Sequence, residues 1–482
     1  MEMRRFCLVF LFACLVSSFC GVADEVPDPL NAVVRIYSIN YRPDYFIPWQ
    51  NKRQDGYYGS GVVIPGNRVL TSAHNVTDAT YIAVMKQTVD ADYFARVLFI
   101  DHDCDLALLE VEDASFFDDI IPLELGQTPP PQTPVAVVGF PIGGRMRSIT
   151  QGVISRIESR SYIHSQRDLL AAQLDAAINS GNSGGPVICD GRVVGIAFQS
   201  NRSGEGLGYM VPTEIIRHFF VDIEDGHVDG FGVFGCSVAN LENADTRRYL
   251  GMGKGETGVR ISYVRKPDES LLKIDDVLLA IDGVKVTNNG RLRLPTGETI
   301  FFTTLIMEKQ IGEAVSLSIL RDGERFEVDY PIRKYEYLCK GYLYDKLPDY
   351  YIVGGFVFTP LSYSFFDEYG GKEPPPDLMS LMFEEKADPD EEAIVLSVVL
   401  GDRVNIGSQG LNSRQLKSVN GKKMKNLREF ISFIENSTDE FITMCFGASN
   451  YPVTLDLAKL RASTPFILER YRVPADRSKS LQ

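Results

Sequence analysis

Asn179-Ser180-Gly181-Asn182-Ser183-Gly184-Gly185-Pro186 is the stretch on which the reading of this chain turns. A serine hydroxyl is a poor nucleophile until a base removes its proton. The oxyanion formed when it attacks a carbonyl needs backbone N–H donors aimed at it. Glycines on both sides of Ser183 let the backbone turn such donors inward and let a substrate come close. Ser183 is therefore a candidate nucleophile, and the N–H groups of Gly181 and Ser183, with Asn182 between them, are a candidate oxyanion hole. Taken alone, a glycine- and serine-rich loop without chemistry reads the same way, so partners are needed.

Upstream lies Thr71-Ser72-Ala73-His74, at the end of a β run over 61–70. The chain has only five histidines, and a strand-end loop would present His74 as a general base. Between the two lies Asp101-His102-Asp103-Cys104-Asp105, followed by the apolar run Leu106-Ala107-Leu108-Leu109. Asp105 abuts that run, so its carboxylate would be held rigidly enough to accept the imidazole N–H and fix the tautomer. Asp101 and Asp103 compete for the role but read as solvated turn residues. The order His, Asp, Ser is that of chymotrypsin, not of subtilisins or α/β-hydrolases.

Working outward, residues 31–218 hold short β runs (33–37, 61–64, 81–85, 135–139, 193–198) broken by turn residues, which favours a barrel or sandwich. Apolar residues at helical spacing predict a closing helix over 213–222. A glycine-rich link at 226–232 leads to a second unit, 230–335, with strands at 259–264 and 276–282 and a hairpin around Asp322-Gly323. A third unit, 345–460, begins with a strand over 352–358 and includes a helix at 427–434 and an extended run at 452–457. Residues 461–482 read as a tail, frayed from 473.

The composition agrees. At 482 residues the chain should hold about three domains. Hydrophobic content of 44% with 23% charged residues is globular, and 41 Gly with 25 Pro suit a turn-rich β protein. Acids outnumber bases 64 to 49, a net charge of −15, which repels phosphate backbones and argues against nucleic-acid partners. Arg4 and Arg5, an apolar run over 6–16 and small residues to Ala23 read as a signal peptide, 1–23, cleaved before Asp24. Export to a periplasm or cell envelope follows; Cys20 as a lipid-modified terminus is the rival reading. Of eight cysteines three fall in that segment, and the other five lack disulfide or metal spacing.

With these residues in place the chain resembles the HtrA/Do serine proteases. The three segments around His74, Asp105 and Ser183 are similar to that family's catalytic blocks. So are Gln173-Leu174-Asp175-Ala176-Ala177-Ile178 and Gly208-Tyr209-Met210-Val211-Pro212-Thr213. Pro48-Trp49-Gln50, Gly139-Phe140-Pro141-Ile142-Gly143-Gly144 and Gly354-Gly355-Phe356-Val357-Phe358 are similar to the plant Do-like branch, whose second PDZ domain is divergent. One departure is Asn75, where most relatives carry Val; it is expected not to touch the chemistry.

The resemblance implies a mostly β fold: a trypsin-like double β-barrel at 24–225, then two PDZ-like α+β domains. It places the S1 pocket between Ala177 and Ile178 on one side and Ile196, Ala197 and Phe198 on the other. That pocket has no carboxylate, so Val, Ala, Ile or Leu would be preferred and cleavage would be broad. In the second unit Val233, Phe234, Gly235 and Cys236 would form a loop holding a peptide C-terminus, or an ordinary hairpin entry. In the third unit Gly355, Phe356, Val357 and Phe358 could play the same part, but Pro360 weakens strand addition there and a scaffolding or regulatory role is favoured. A homotrimer or a multiple of trimers is implied, with Tyr41, Tyr45, Phe46 and Trp49 as contact candidates, although such aromatics equally suit local packing. Loops near 158–170, 178–182 and 199–206 would switch activity. No cofactor or metal is implied. The expected function is serine endopeptidase action on unfolded or damaged envelope proteins. The alternatives are a non-proteolytic chaperone or PDZ adaptor and, disfavoured, an acyl esterase.

Overall fold

The computed structural model describes residues 28–482 apart from 88, 201–207, 269 and 294–298. The expected leader and Cys20 lie outside the described residues, as does most of the 199–206 loop.

Two closed six-stranded barrels come first. Strands β1 (Val33–Asn40), β2 (Asp55–Ile64), β3 (Arg68–Ser72), β4 (Ala79–Met85), β5 (Tyr93–Asp101) and β6 (Leu106–Val111) close in the order β1-β2-β3-β6-β5-β4. Strands β7 (Pro134–Gly139), β8 (Ser148–Ser161), β9 (Asp168–Leu174), β10 (Pro186–Cys189), β11 (Arg192–Ser200) and β12 (Gly208–Pro212) close in the order β10-β11-β12-β9-β8-β7. Closure removes free edges. Strand β6 reads as a continuous apolar run because both of its faces are covered: five of its six residues are buried. The predicted helix follows as α1 (Thr213–Asp222), with Ile215, Ile216 and Phe219 buried.

The second unit is a sheet of six strands, and Asp322-Gly323, at φ 50° and 82°, joins Ala314–Arg321 to Glu324–Pro331. Two successive residues at positive φ are what a two-residue hairpin turn requires. The third unit is another six-stranded sheet. Its single expected strand over 352–358 is instead a hairpin, Tyr351–Val353 paired with Phe356–Pro360. Gly354 and Gly355, at φ 55° and 84°, make the turn.

The expected tail is also ordered. Leu457–Tyr471 is a helix despite Pro465. Beyond it the chain runs back along the sheet, where the Ile352 N–H donates to the Asp476 carbonyl at 2.6 Å. Val473 and Leu481 are buried.

The aromatic segment at 45–49 is used within the chain. Tyr45 packs with Leu338, Leu361 and Phe365, the Phe46 ring meets Phe365 edge-on at 4.9 Å, and Trp49 lies 6.0 Å from Tyr350. Only Tyr41 of the four is left exposed.

Candidate active site

Strand register positions His74, the candidate base. Ser72 pairs with Leu106, so the short turn Ala73–Asn75 falls beside Asp105, the residue before β6. The Ala73 N–H donates to the Asp105 carbonyl at 3.0 Å. Asp105 is buried and sits at φ 57°, which turns its carboxylate onto the histidine. One oxygen accepts the His74 backbone N–H at 2.9 Å, and the other faces His74 Nδ1 at 2.7 Å. That contact assigns the proton to Nδ1 and leaves Nε2 as the acceptor. Burial alone would raise Asp105 and depress His74. The charge and hydrogen bond they share outweigh it, leaving Asp105 below the usual carboxylate range and His74 above the usual imidazole one.

Of the competing carboxylates Asp101 is not solvated, contrary to the sequence reading, and Asp103 is half-buried. Asp101 is buried, accepts the Asp103 N–H at 2.8 Å and is pushed by burial up to about 6. Asp103 faces Arg167 at 3.7 Å and Lys334 at 3.6 Å. Neither approaches His74 as Asp105 does.

The nucleophile loop is wedged between the barrels. Gly184, at φ 81°, lies where a Cβ would stand 2.3 Å from the Ser60 carbonyl and from Thr71 Oγ1. Gly181, at φ 99°, would bring a Cβ within 2.5 Å of the Phe140 carbonyl. Ser60 Oγ donates to the Gly181 carbonyl at 2.7 Å and accepts from Phe140 N–H at 2.8 Å. The Asn182 N–H turns back to the Asn179 carbonyl at 2.9 Å. Among the described residues the N–H groups of Gly181 and Ser183 donate to nothing, as oxyanion donors must before substrate arrives. Asn182 is fully buried, and its side-chain amide makes no hydrogen bond among the described residues. Ser183 Oγ is turned toward the Phe198 carbonyl at 3.4 Å and makes no hydrogen bond to His74.

Asn75 does contact the backbone of Ser183, the candidate nucleophile, which the sequence reading did not anticipate. Its amide donates to the Ser183 carbonyl at 2.9 Å, alongside the Ser60 N–H at 2.9 Å.

The five expected S1 residues divide between two faces of β11. Ile178 packs with Ala197 and Met210, with Ala177 half-buried beside them. Ile196 and Phe198 belong to another cluster with Tyr162. Phe198 also lines a cavity of about 640 Å³ shared with His74, Asp105 and His164, whose far wall includes Tyr342, Tyr344 and Asp367.

The expected carboxylate-binding loop of the second unit does not present a row of free donors. Val233 N–H donates to the Arg333 carbonyl at 3.0 Å, and Gly235 N–H to Tyr330 Oη at 2.8 Å. Phe234 is buried, and Cys236 begins a strand paired with Val264. The buried Asp268 carboxylate, accepting from Tyr330 at 2.6 Å, stands beside this loop and would repel a second carboxylate.

Comparison with known proteins agrees with the architecture. A family model described as a trypsin-like peptidase domain matches residues 59–196, and one described as a PDZ domain matches 339–480. The chain is 36% identical over 449 residues to "Protease Do-like 4, mitochondrial" of Arabidopsis thaliana, spanning 92% of this chain and 84% of that protein. It is 37% identical over 464 residues to "Protease Do-like 2, chloroplastic" of the same plant, spanning 94% and 75%. Among solved structures it is similar to "HtrA-type protease AlgW with tripeptide", at 23% identity and a TM-score of 0.48, covering 64% of this chain and 97% of that one.

Proposed function

This chain belongs to the Do-like serine protease family, and on that premise we propose that Ser183, His74 and Asp105 carry its endopeptidase chemistry. The observation that supports this most directly is the double contact of Asp105 with His74, beside two unpaired N–H groups at Gly181 and Ser183. Ser183 Oγ turns from the Phe198 carbonyl toward His74 Nε2, gives up its proton there and attacks the scissile carbonyl. Asp105 stabilises the imidazolium, and the two N–H groups hold the oxyanion. His74 then protonates the leaving amine, and water, deprotonated by the same nitrogen, releases the acyl group.

Substrates are proposed to be unfolded or damaged polypeptides, cut after Val, Ala, Ile or Leu accepted beside Ile178 and Ala197. The PDZ match supports recognition of peptide segments. The N-terminal segment supports export, and relatives named mitochondrial or chloroplastic support a compartment reached across a membrane, in an organelle or an envelope. A trimer or a multiple of trimers completes the reading.

Cleavage of unfolded casein by the wild type and by Ser183→Ala tests it, with N-terminal sequencing and sedimentation of the same preparation checking the Asp24 start and the assembly. Cleavage by the wild type alone is expected. Equal cleavage by both overturns the triad. Absence of cleavage, with both suppressing aggregation, favours the chaperone reading.

A further inference from the structure

The stretch that enters the third unit borders the cavity at His74 and Asp105. Tyr342 and Tyr344 line it. The stretch is fastened from behind: Tyr45 Oη donates to the Leu343 carbonyl at 2.6 Å, and Leu343 N–H to Ser364 Oγ at 2.9 Å. Rings then stack inward toward the base. Tyr342 lies on Tyr344 at 5.2 Å and 14°, Tyr344 on His164 at 4.3 Å and 11°, and His164 is 6.3 Å from His74.

Asp345 makes the decisive contacts. Its Oδ1 accepts the Asp78 N–H at 2.5 Å, and its own N–H donates to Asp78 Oδ1 at 2.8 Å. Its Oδ2 lies 2.9 Å from His102 Nε2, and His102 Nδ1 lies 2.9 Å from His164 Nε2. Asp78 lies four residues beyond His74, and His102 three residues before Asp105. One carboxylate therefore grips both segments that deliver the base and its orienting acid, and reaches the 162–166 loop through His102.

The protonation states suit this. Burial holds His164 down at about 4, so it is neutral. It can donate from Nε2 to His102 Nδ1, and His102 can donate from Nε2 to Asp345. Burial would raise Asp345, but the His102 and Asp78 donors outweigh it and keep the carboxylate ionised.

His74 and Asp105 stand on separate turns, and a displacement of about 1 Å in a catalytic group costs on the order of 100-fold in rate. We propose that Asp345 is a positioning residue for the triad, so that the third unit is part of the active site. The proposal rests on the assignment of Ser183, His74 and Asp105.

The test uses the full chain and the rate at which a fluorophosphonate labels Ser183, together with kcat and KM on a short peptide. Asp345→Ala should slow labelling and lower kcat by about 10- to 100-fold, with KM nearly unchanged and the end-point of labelling still complete. Asp345→Asn, whose amide oxygen can still accept the Asp78 N–H but whose NH2 then faces the His102 Nε2–H, should recover only part of the rate. Labelling of Asp345→Ala at the wild-type rate overturns the proposal. So does a fall in the labelled fraction at an unchanged rate, which would mark unfolding. If the wild type and Ser183→Ala label alike, the triad assignment itself fails, and the proposal with it.

Discussion

At His74 two effects compete, and the winner sets the pH dependence. Burial disfavours the imidazolium, but the Asp105 charge and hydrogen bond favour it more, so the net shift is upward. With His74 as the proposed base, catalysis needs the neutral imidazole, so kcat/KM should climb with pH through a limb above about 6.5, the ordinary histidine value. Asp105→Asn removes both upward influences and leaves burial. Its limb should move to lower pH while the plateau falls by about 10⁴-fold; a pH–rate profile in which the limb stays put overturns the pairing. The same shifts bear on stability. The raised His74 contributes below its unfolded value and fades as pH rises through its folded one. The lowered Asp105 contributes above its unfolded value and fades as pH falls through its folded one. The pair is therefore most stabilising between those limits. The pairing of His74 with Asp105 could be anticipated because the proposed chemistry demands those residue types in that order. The contact of Asn75 with the Ser183 carbonyl could not, because it depends on how the two barrels meet. Asp101 misled for the opposite reason, since a polar turn composition says nothing about what later covers it.

Elements were legible where local pattern alone decides them. The helix Thr213–Asp222 and the Asp322-Gly323 hairpin follow from spacing and turn chemistry. The strand over 352–358 was misread because the apolar run was followed through Gly354-Gly355, although two adjacent glycines between apolar runs are themselves a hairpin-turn signal. Helix Leu457–Tyr471 was hidden by Pro465, an interior breaker tolerated here in a helix anchored by buried Leu457, Leu460 and Ile467. The partners of Tyr45 lie some 300 positions away, beyond any local signal. That placement is testable. Tyr45→Ala should cost about 3 kcal/mol, as truncation of a buried aromatic does, and the cost should appear locally. Amide hydrogen exchange should quicken at 340–346 and 361–369 while the second barrel stays protected. Unchanged exchange there would return this segment to contacts between subunits.

For the whole molecule the question is which parts unfold together. One buried apolar cluster runs from the first barrel (Val62, Leu108) through α1 (Ile216, Phe219) and Phe231 into the second unit (Val259, Ile319). Phe231 stacks on His218 at 4.1 Å, and its carbonyl accepts from Arg167 at 2.7 Å. The third unit has its own core around Phe356, Phe358, Phe430 and Phe446, tied to the first barrel by the Tyr45 cluster and by Asp345. Cooperative units follow shared cores more closely than sequence boundaries. Calorimetry should therefore resolve two transitions, with the protease and second unit melting as one and the third unit separately. Phe231→Ala, which removes a side chain joining the first two, should lower the joint transition by several degrees, since about 3–5 kcal/mol is lost with such a residue. Because the Asp345 contacts belong to the third unit, the labelling rate of Ser183 should collapse with that unit's transition even where the barrels remain folded. Three independent transitions, or labelling that survives until the barrels melt, would show that the units are linked only in sequence.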